Sequence, residues 1–256
     1  PTMELLPLLP LLLPGPLGTA IEVIPLDMAP HSFDDQYRGC RQEMAEELPK
    51  LKHSEFSYSK YSEAWNKATD KWSRHQFLGS LSRKEQAIAL WAYTLETDLY
   101  KDFNKAVPMA GRSGQEHLHN FPFKMLHFLL TEALEDLRKA KTHRRCFHVF
   151  RGVRNIRFTV KPEDIVRFGQ FASTSPLRNV SQHYGTHTFF EVYTCYGAAI
   201  QNFSSMPWEE EVLIPPYETF KVTRVIHKGD ETHIHLNSSG EHSNYNCEWH
   251  RGDIPG

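Results

Sequence analysis

The period of the hydrophobic pattern changes once along this chain, at Cys146, and that change limits the fold more than any single motif. From about residue 42 to residue 141, apolar residues recur at three- and four-residue steps. Leu126, His127, Leu130, Ala133, Leu134 and Leu137 share one helical face with Phe123, which leaves Glu132, Glu135, Asp136 and Arg138 for the solvated side. Ile88, Trp91, Ala92 and Leu95 make a shorter stripe, and Trp65 and Trp72 lie seven apart. Beyond Cys146 the runs become short and strand-like: CFHVFRGV, IVRFGQFASTS, TFFEVYTC, EVLIPPYETFKVTRVIH and THIHL. Phe220 and Val222 alternate with Lys221 and Thr223; Ile234 and Leu236 alternate with His233 and His235. Turn signals such as GTH, KGD and NSSG separate the runs. The expectation is an α+β chain without internal repeats. A helical lobe covers about 27–141 and a β lobe about 146–249, as parts of a single domain over 21–256.

With 256 residues, 40% of them apolar, the chain can bury a sizeable core. A formal net charge of −2 and the lack of a basic stripe leave no electrostatic case for a nucleic-acid partner. The first twenty residues are leucine-rich and end in small residues, so they read as a secretory signal region, although prolines interrupt it and no Lys or Arg precedes it. Nothing elsewhere is apolar for long enough to span a bilayer. Cys40, Cys146, Cys195 and Cys247 form no C-x-x-C pair, which argues against zinc and permits two disulfides in three pairings. Asn-x-Ser sequons at Asn179, Asn202 and Asn237 join them in predicting an oxidising, secretory route. A secreted or luminal protein is expected, lipid-anchored at the cell surface only if a further segment follows Gly256.

Three stretches could carry chemistry. In PWEEEVLIPP, three glutamates meet an apolar run. In an extended segment Glu209 and Glu211 would face one way and Glu210 the other. Two like charges held that close cost free energy unless something uses them, whereas a solvated loop tip is the plain alternative. In VFRGVR, Arg151 ends a strand-like run with a planar fork suited to phosphate or carboxylate, and Gly152 would let a flat ligand reach the main chain. In FASTS, hydroxyls at a strand end can orient a carboxylate or hold ligand hydroxyls, with turn chemistry as the alternative. His233 and His235 read as one face of a strand and carry no metal assignment. The RGD tripeptide at Arg251 to Asp253 is too short to rest function on.

Arg151, then Ser173, then Glu209-x-Glu211 follow the R-S-E order, and this chain resembles the vertebrate ecto-mono-ADP-ribosyltransferases of the arginine-specific class. SFDDQYRGC, FPFKMLHFLLTEAL, FRGV, FGQFAST, EEEVLIPPYETF and NYNC resemble family blocks in the family's order, from about Asp27 to Trp249. The resemblance implies a helical lobe packed on a β-sandwich that grips NAD in a cleft. It also implies the pairings Cys40–Cys247 and Cys146–Cys195. By the same resemblance Arg151 holds NAD phosphate, and Gly152 offers its backbone to the nicotinamide amide. Ser173 fixes the catalytic glutamate and the nicotinamide-side ribose, Glu211 is that glutamate, and Glu209 marks arginine as acceptor. Tyr184 would flank the nicotinamide.

The implied reaction transfers ADP-ribose from NAD to the guanidinium of arginine-bearing proteins or small guanidino compounds. NAD is then a substrate, with no permanently bound cofactor and no metal, and a monomer is expected. Two other readings compete. Water could be the main acceptor, making the chain chiefly an NAD glycohydrolase, or the chain could be a non-catalytic secreted binding module. The intact Arg151, Ser173, Glu209 and Glu211 disfavour the second, and the Glu209-x-Glu211 spacing favours arginine over water.

Overall fold

In a computed structural model, residues 20–112, 120–140 and 146–248 are described. The leucine-rich start of the predicted signal region and the RGD tripeptide lie outside them. After a short strand β1 (Glu22–Pro25), the helices among the described residues are α1 (Arg41–Glu55), α2 (Ser59–His75), α3 (Lys84–Thr94), α4 (Asp98–Ala110) and α5 (Lys124–Lys139). Strands then dominate: β2 (Phe147–Val153), β3 (Ile156–Thr159), β4 (Ile165–Val166), β5 (Ala172–Thr174), β6 (Thr188–Thr194), β7 (Ala198–Ala199), β8 (Val212–Ile214), β9 (Glu218–Lys228) and β10 (Glu231–Glu241). A short helix, α6 (Arg178–His183), lies between β5 and β6. The change of period at Cys146 is therefore a change of architecture, and the fold is α+β as expected.

The helical lobe departs from the predicted amphipathic stripes. From Gln86 to Thr94 every residue of α3 is buried, and α5 is buried from Lys124 to Leu134. Both helices are wrapped by neighbours, so polar residues such as Gln86, which bonds Asp136 at 2.8 Å, are paired inside rather than with water. Glu132, expected on the wet face, is 4% exposed and bonds Arg83 Nη2 at 3.0 Å. Trp65 sits in the core and Trp72 packs against it, in keeping with one helix face.

The β lobe is a sandwich whose inner sheet is covered twice. Five strands run in the order β2-β6-β10-β9-β4, with β6 and β10 parallel and the other pairs antiparallel. A three-stranded sheet, β5-β8-β7, packs against it. Val149, Phe190, Val192, Phe220, Val222, Ile234 and Leu236 of the large sheet meet Ala172, Val212 and Ile214 of the small one. On its other side the small sheet presents Phe171, Ala198, Ile200 and Leu213 to the helical core. β8 is apolar at Val212, Leu213 and Ile214 because it has a core on each face, as doubly covered strands require. The long predicted runs are cut accordingly. IVRFGQFASTS divides into β4 and β5 in different sheets, and Pro215 and Pro216 separate β8 from β9.

The start and end of the described chain are fastened together. Disulfides join Cys40 to Cys247 and Cys146 to Cys195, the pairing that the resemblance implied. Asp34 is fully buried, meets Arg167 Nη1 at 2.5 Å and accepts from the backbone of Asn244 and Tyr245 at 2.8 and 3.0 Å. Asp35 accepts from the backbone N–H groups of Cys247 and Glu248, both at 2.9 Å. Removing one partner of such a pair leaves a desolvated charge. Arg167→Met is therefore expected to cost about 3–5 kcal/mol in urea unfolding at neutral pH, whereas an exposed-pair control such as Lys101→Met should cost under about 1 kcal/mol.

Candidate active site

The small inner sheet carries two of the predicted residues to one place. Ser173 is central in β5, paired with Leu213 of β8, and Glu211 immediately precedes β8. Because residues 171, 173, 211 and 213 lie on the side of the sheet turned to the helices, Ser173 and Glu211 face α3 rather than the sandwich core. β2 adds Arg151, whose Nη1 donates to the Ser173 carbonyl at 2.8 Å. The three line one cleft of about 410 Å³, with Gly152, Tyr184 and Glu209 around them.

Glu211 is the unusual member. It is 6% exposed, and its Oε1 is buried without a hydrogen-bond partner. Burial pushes its pKa up to about 7 and the Glu209 charge adds to this, while the Ser173 hydroxyl and Arg151 pull the other way. Burial likewise lowers the pKa of Arg151, opposed by Tyr93 and Glu211. A desolvated carboxylate with an unused acceptor oxygen beside a half-buried guanidinium is an arrangement that a ligand hydroxyl or a developing cation would complete.

Glu209 and Glu211 do line the same cleft, but strand alternation is not the reason. Pro207 to Glu209 form a 3-10 turn, and Glu210 takes a left-handed backbone at φ 49°. That one residue swings outward, exposed, and lets the chain bring its two neighbours to the cleft. The turn is fastened by Ser175 Oγ donating to the Glu209 carbonyl at 2.6 Å, and by Ser205, whose N–H donates to Thr94 Oγ1 at 3.0 Å. The Tyr184 hydroxyl donates to Glu209 Oε1 at 2.6 Å across the mouth of the cleft. The tyrosine is thus tied to the outer glutamate, a contact that sequence spacing did not suggest.

Gly152 is also required by the packing around it. A Cβ there would lie 2.1 Å from the Ser181 carbonyl and 2.2 Å from that of Gly185. It is α6 and the turn after it, folded down on β2, that exclude a side chain; the glycine's main chain still faces the cleft. The three sequon asparagines, Asn179, Asn202 and Asn237, are all exposed. Sequence reasoning missed the contribution of the helices. Tyr93, Thr94, Glu96, Tyr100 and Asn104 line the cleft from the α3–α4 side. The available signal was a tyrosine in an otherwise apolar helix, since a buried phenol needs a partner.

A helical lobe that closes a carboxylate-bearing cleft on a small inner sheet defines the ADP-ribosyltransferase class of fold. The crystal structure of the eukaryotic mono-ADP-ribosyltransferase ART2.2 is similar at a TM-score of 0.74 and 35% identity, covering 88% of this chain and 98% of that one. A variant of ART2.2 solved in complex with NAD is similar to the same degree, at 34% identity. Residues 26–244 match the family described as NAD:arginine ADP-ribosyltransferase, and the chain belongs to that family. The erythroblast NAD(P)(+)--arginine ADP-ribosyltransferase of Gallus gallus is 47% identical over 90% of this chain and 77% of its own length. The GPI-linked NAD(P)(+)--arginine ADP-ribosyltransferase 1 of Homo sapiens is 45% identical over 88% and 74%.

The coupling between the two carboxylates can be measured directly. Glu209→Gln removes a neighbouring negative charge, so the Glu211 carboxyl should titrate below its starting value of about 7 in a carbon-13 NMR titration. An unmoved midpoint would mean that the two groups do not feel each other.

Proposed function

We propose that this chain transfers ADP-ribose from NAD to the guanidinium of arginine and releases nicotinamide, with Glu211 as the catalytic group. The observation that carries this reading is the buried, unpartnered Oε1 of Glu211 in a cleft shared with Arg151 and Ser173. The bond from ribose C1 to the nicotinamide nitrogen breaks, and its electron pair leaves with nicotinamide. The sugar is left as an oxocarbenium-like cation. A carboxylate that accepts a hydrogen bond from a ribose hydroxyl stabilises that cation most as its charge develops. Arg151, already oriented through the Ser173 carbonyl, offers the rest of its fork to NAD phosphate. Gly152 offers backbone to the nicotinamide amide, and Tyr184 provides an aromatic wall beside it.

Glu209 lies nearer the solvent and suits the acceptor. A guanidinium has a pKa above about 12, so one carboxylate cannot deprotonate it in advance at little cost. Glu209 instead binds the cation, presents one nitrogen to the sugar and takes its proton as the new C–N bond forms. Exposed Glu210 has no part in this. The two lobes work as one catalytic domain, complete in a single chain, on proteins or small guanidino compounds. The two disulfides and exposed sequons support an extracellular or luminal setting, in line with GPI-linked relatives. Secretion and lipid anchoring at the cell surface both fit that setting.

Labelled NAD and agmatine provide the test. Glu211→Gln should lose both ADP-ribosyl-agmatine formation and NAD cleavage by about a hundredfold or more. Glu209→Ala should lose transfer to agmatine to a similar extent while keeping NAD cleavage within about tenfold. Equal loss of both activities in the Glu209 variant would defeat the division of roles, and free ADP-ribose as the main wild-type product would make the chain a glycohydrolase. Glu211 must be ionised to act, so kcat/KM for NAD should rise with pH through about 7 and be lost below it.

A further inference from the structure

The cations of the cleft come from one stretch of chain and its acids from elsewhere. Among the described lining residues the cations are Arg151, near the end of β2, and Arg154, the residue after that strand. The acids are Glu96, between α3 and α4, with Glu209 and Glu211 at the glutamate turn. NAD is divided in the same way, with a negative pyrophosphate set apart from a positively charged nicotinamide ring. Arg151 alone is a poor match for the pyrophosphate. Its Nη1 is already committed to the Ser173 carbonyl at 2.8 Å, and three carboxylates share the cleft with it. A further positive charge lowers the electrostatic cost of bringing a doubly negative group into such a cleft.

Arg154 supplies that charge in usable form. It is exposed and forms no ion pair among the described residues. By contrast, Arg178 lies 3.6 Å from Glu191 and Arg157 lies 3.9 Å from Asp230. The base of the Arg154 side chain is held in place. A Cβ on Gly185 would come within 2.5 Å of the Arg154 backbone nitrogen and 2.7 Å of its Cα, so the turn after α6 lies directly on this backbone. Among the described residues the guanidinium is steadied by a bond from Nη2 to the His183 carbonyl at 2.9 Å. Its remaining N–H donors keep the planar fork that matches phosphate oxygens.

We propose that Arg154 is a second phosphate-binding residue for NAD, so that Arg151 and Arg154 together hold the pyrophosphate and place the ribose against Glu211. The proposal rests on the reading of the cleft as an NAD site and extends it to a residue outside the R-S-E set. The competing role for Arg154 is support, since its bond to His183 ties the end of α6 to β2. Support and phosphate binding differ in which ligands they affect. Loss of support would disturb Tyr184 and Gly152 as well, and with them the nicotinamide end of the cleft. Loss of a phosphate contact acts on ligands that carry a phosphate.

ADP-ribose, which has the pyrophosphate, and nicotinamide, which lacks it, separate the two. The dissociation constant of ADP-ribose and the inhibition constant of nicotinamide are to be measured for the full chain, Arg154→Gln and Arg154→Lys. Arg154→Gln should weaken ADP-ribose about tenfold while moving nicotinamide by less than about twofold. In turnover with agmatine, its KM for NAD should rise by more than kcat falls. Arg154→Lys, which keeps the charge and loses the fork, should recover part of the loss. Raising the salt from about 50 to about 200 mM should weaken ADP-ribose more for the wild type than for Arg154→Gln. Equal losses for the two ligands, or ADP-ribose binding that matches the wild type, would overturn the role of Arg154 and leave the NAD reading standing. A wild-type chain that binds no ADP-ribose would overturn the NAD reading itself, and this proposal with it.

Discussion

Keeping a carboxylate dry is the constraint around which this molecule is built. Glu211 enters a strand that has an apolar core on each face, so water cannot reach it from below or from the sides. Desolvation raises its pKa, and an isolated buried carboxylate would simply take up a proton. The surroundings oppose that by degrees: the nearby Ser173 hydroxyl and Arg151 both favour its ionised form. The result is a group near its point of ionisation at neutral pH, with one oxygen left unsatisfied. A site in this condition costs folding free energy and gains it back when a polar ligand arrives, which is a general character of functional sites.

The rest of the fold can be understood as holding that strand still. The large sheet supports one face of β5-β8-β7 and the helices support the other. Thr94 of α3 also receives the Ser205 backbone N–H, so the helix that carries Tyr93 fastens the loop leading to the glutamate turn. Two buried aspartates, Arg167 and the Cys40–Cys247 bond join the beginning of the helical lobe to the residues after β10. A closed loop of that length restricts the unfolded chain, and bonds of this kind contribute about 2–4 kcal/mol. The glutamate turn itself is the less constrained part, with Trp208 67% exposed beside Glu209. A rigid inner acid and a solvent-facing outer one suit a transfer from a donor held in the cleft to an acceptor that arrives from solvent.

Much of this was legible in one dimension. Arg151, Ser173 and Glu211 sit at strand positions that their neighbouring apolar runs announce, and all three meet in the cleft. The misreadings share a cause. Glu209 and Glu211 were placed on one face by strand alternation, but a 3-10 turn and a left-handed Glu210 do that work. Glu132 was sent to water, but Arg83 meets it inside. In each case the deciding partner is remote in sequence or belongs to an irregular turn, and neither leaves a periodic trace.

The sequence by itself determined the two textures, the order of the strands' chemistry and the residue types that could serve a sugar cation, because periodicity and side-chain chemistry are local properties. The tertiary structure alone decided that Ser173 and Glu211 turn toward the helices, that Tyr93 and Asn104 stand behind them, and that Tyr184 reaches Glu209. Those facts depend on which face of a doubly covered sheet meets which core. That choice is made by packing between residues some eighty positions apart, as in the Tyr93–Ser173 contact, and no window along the chain contains it.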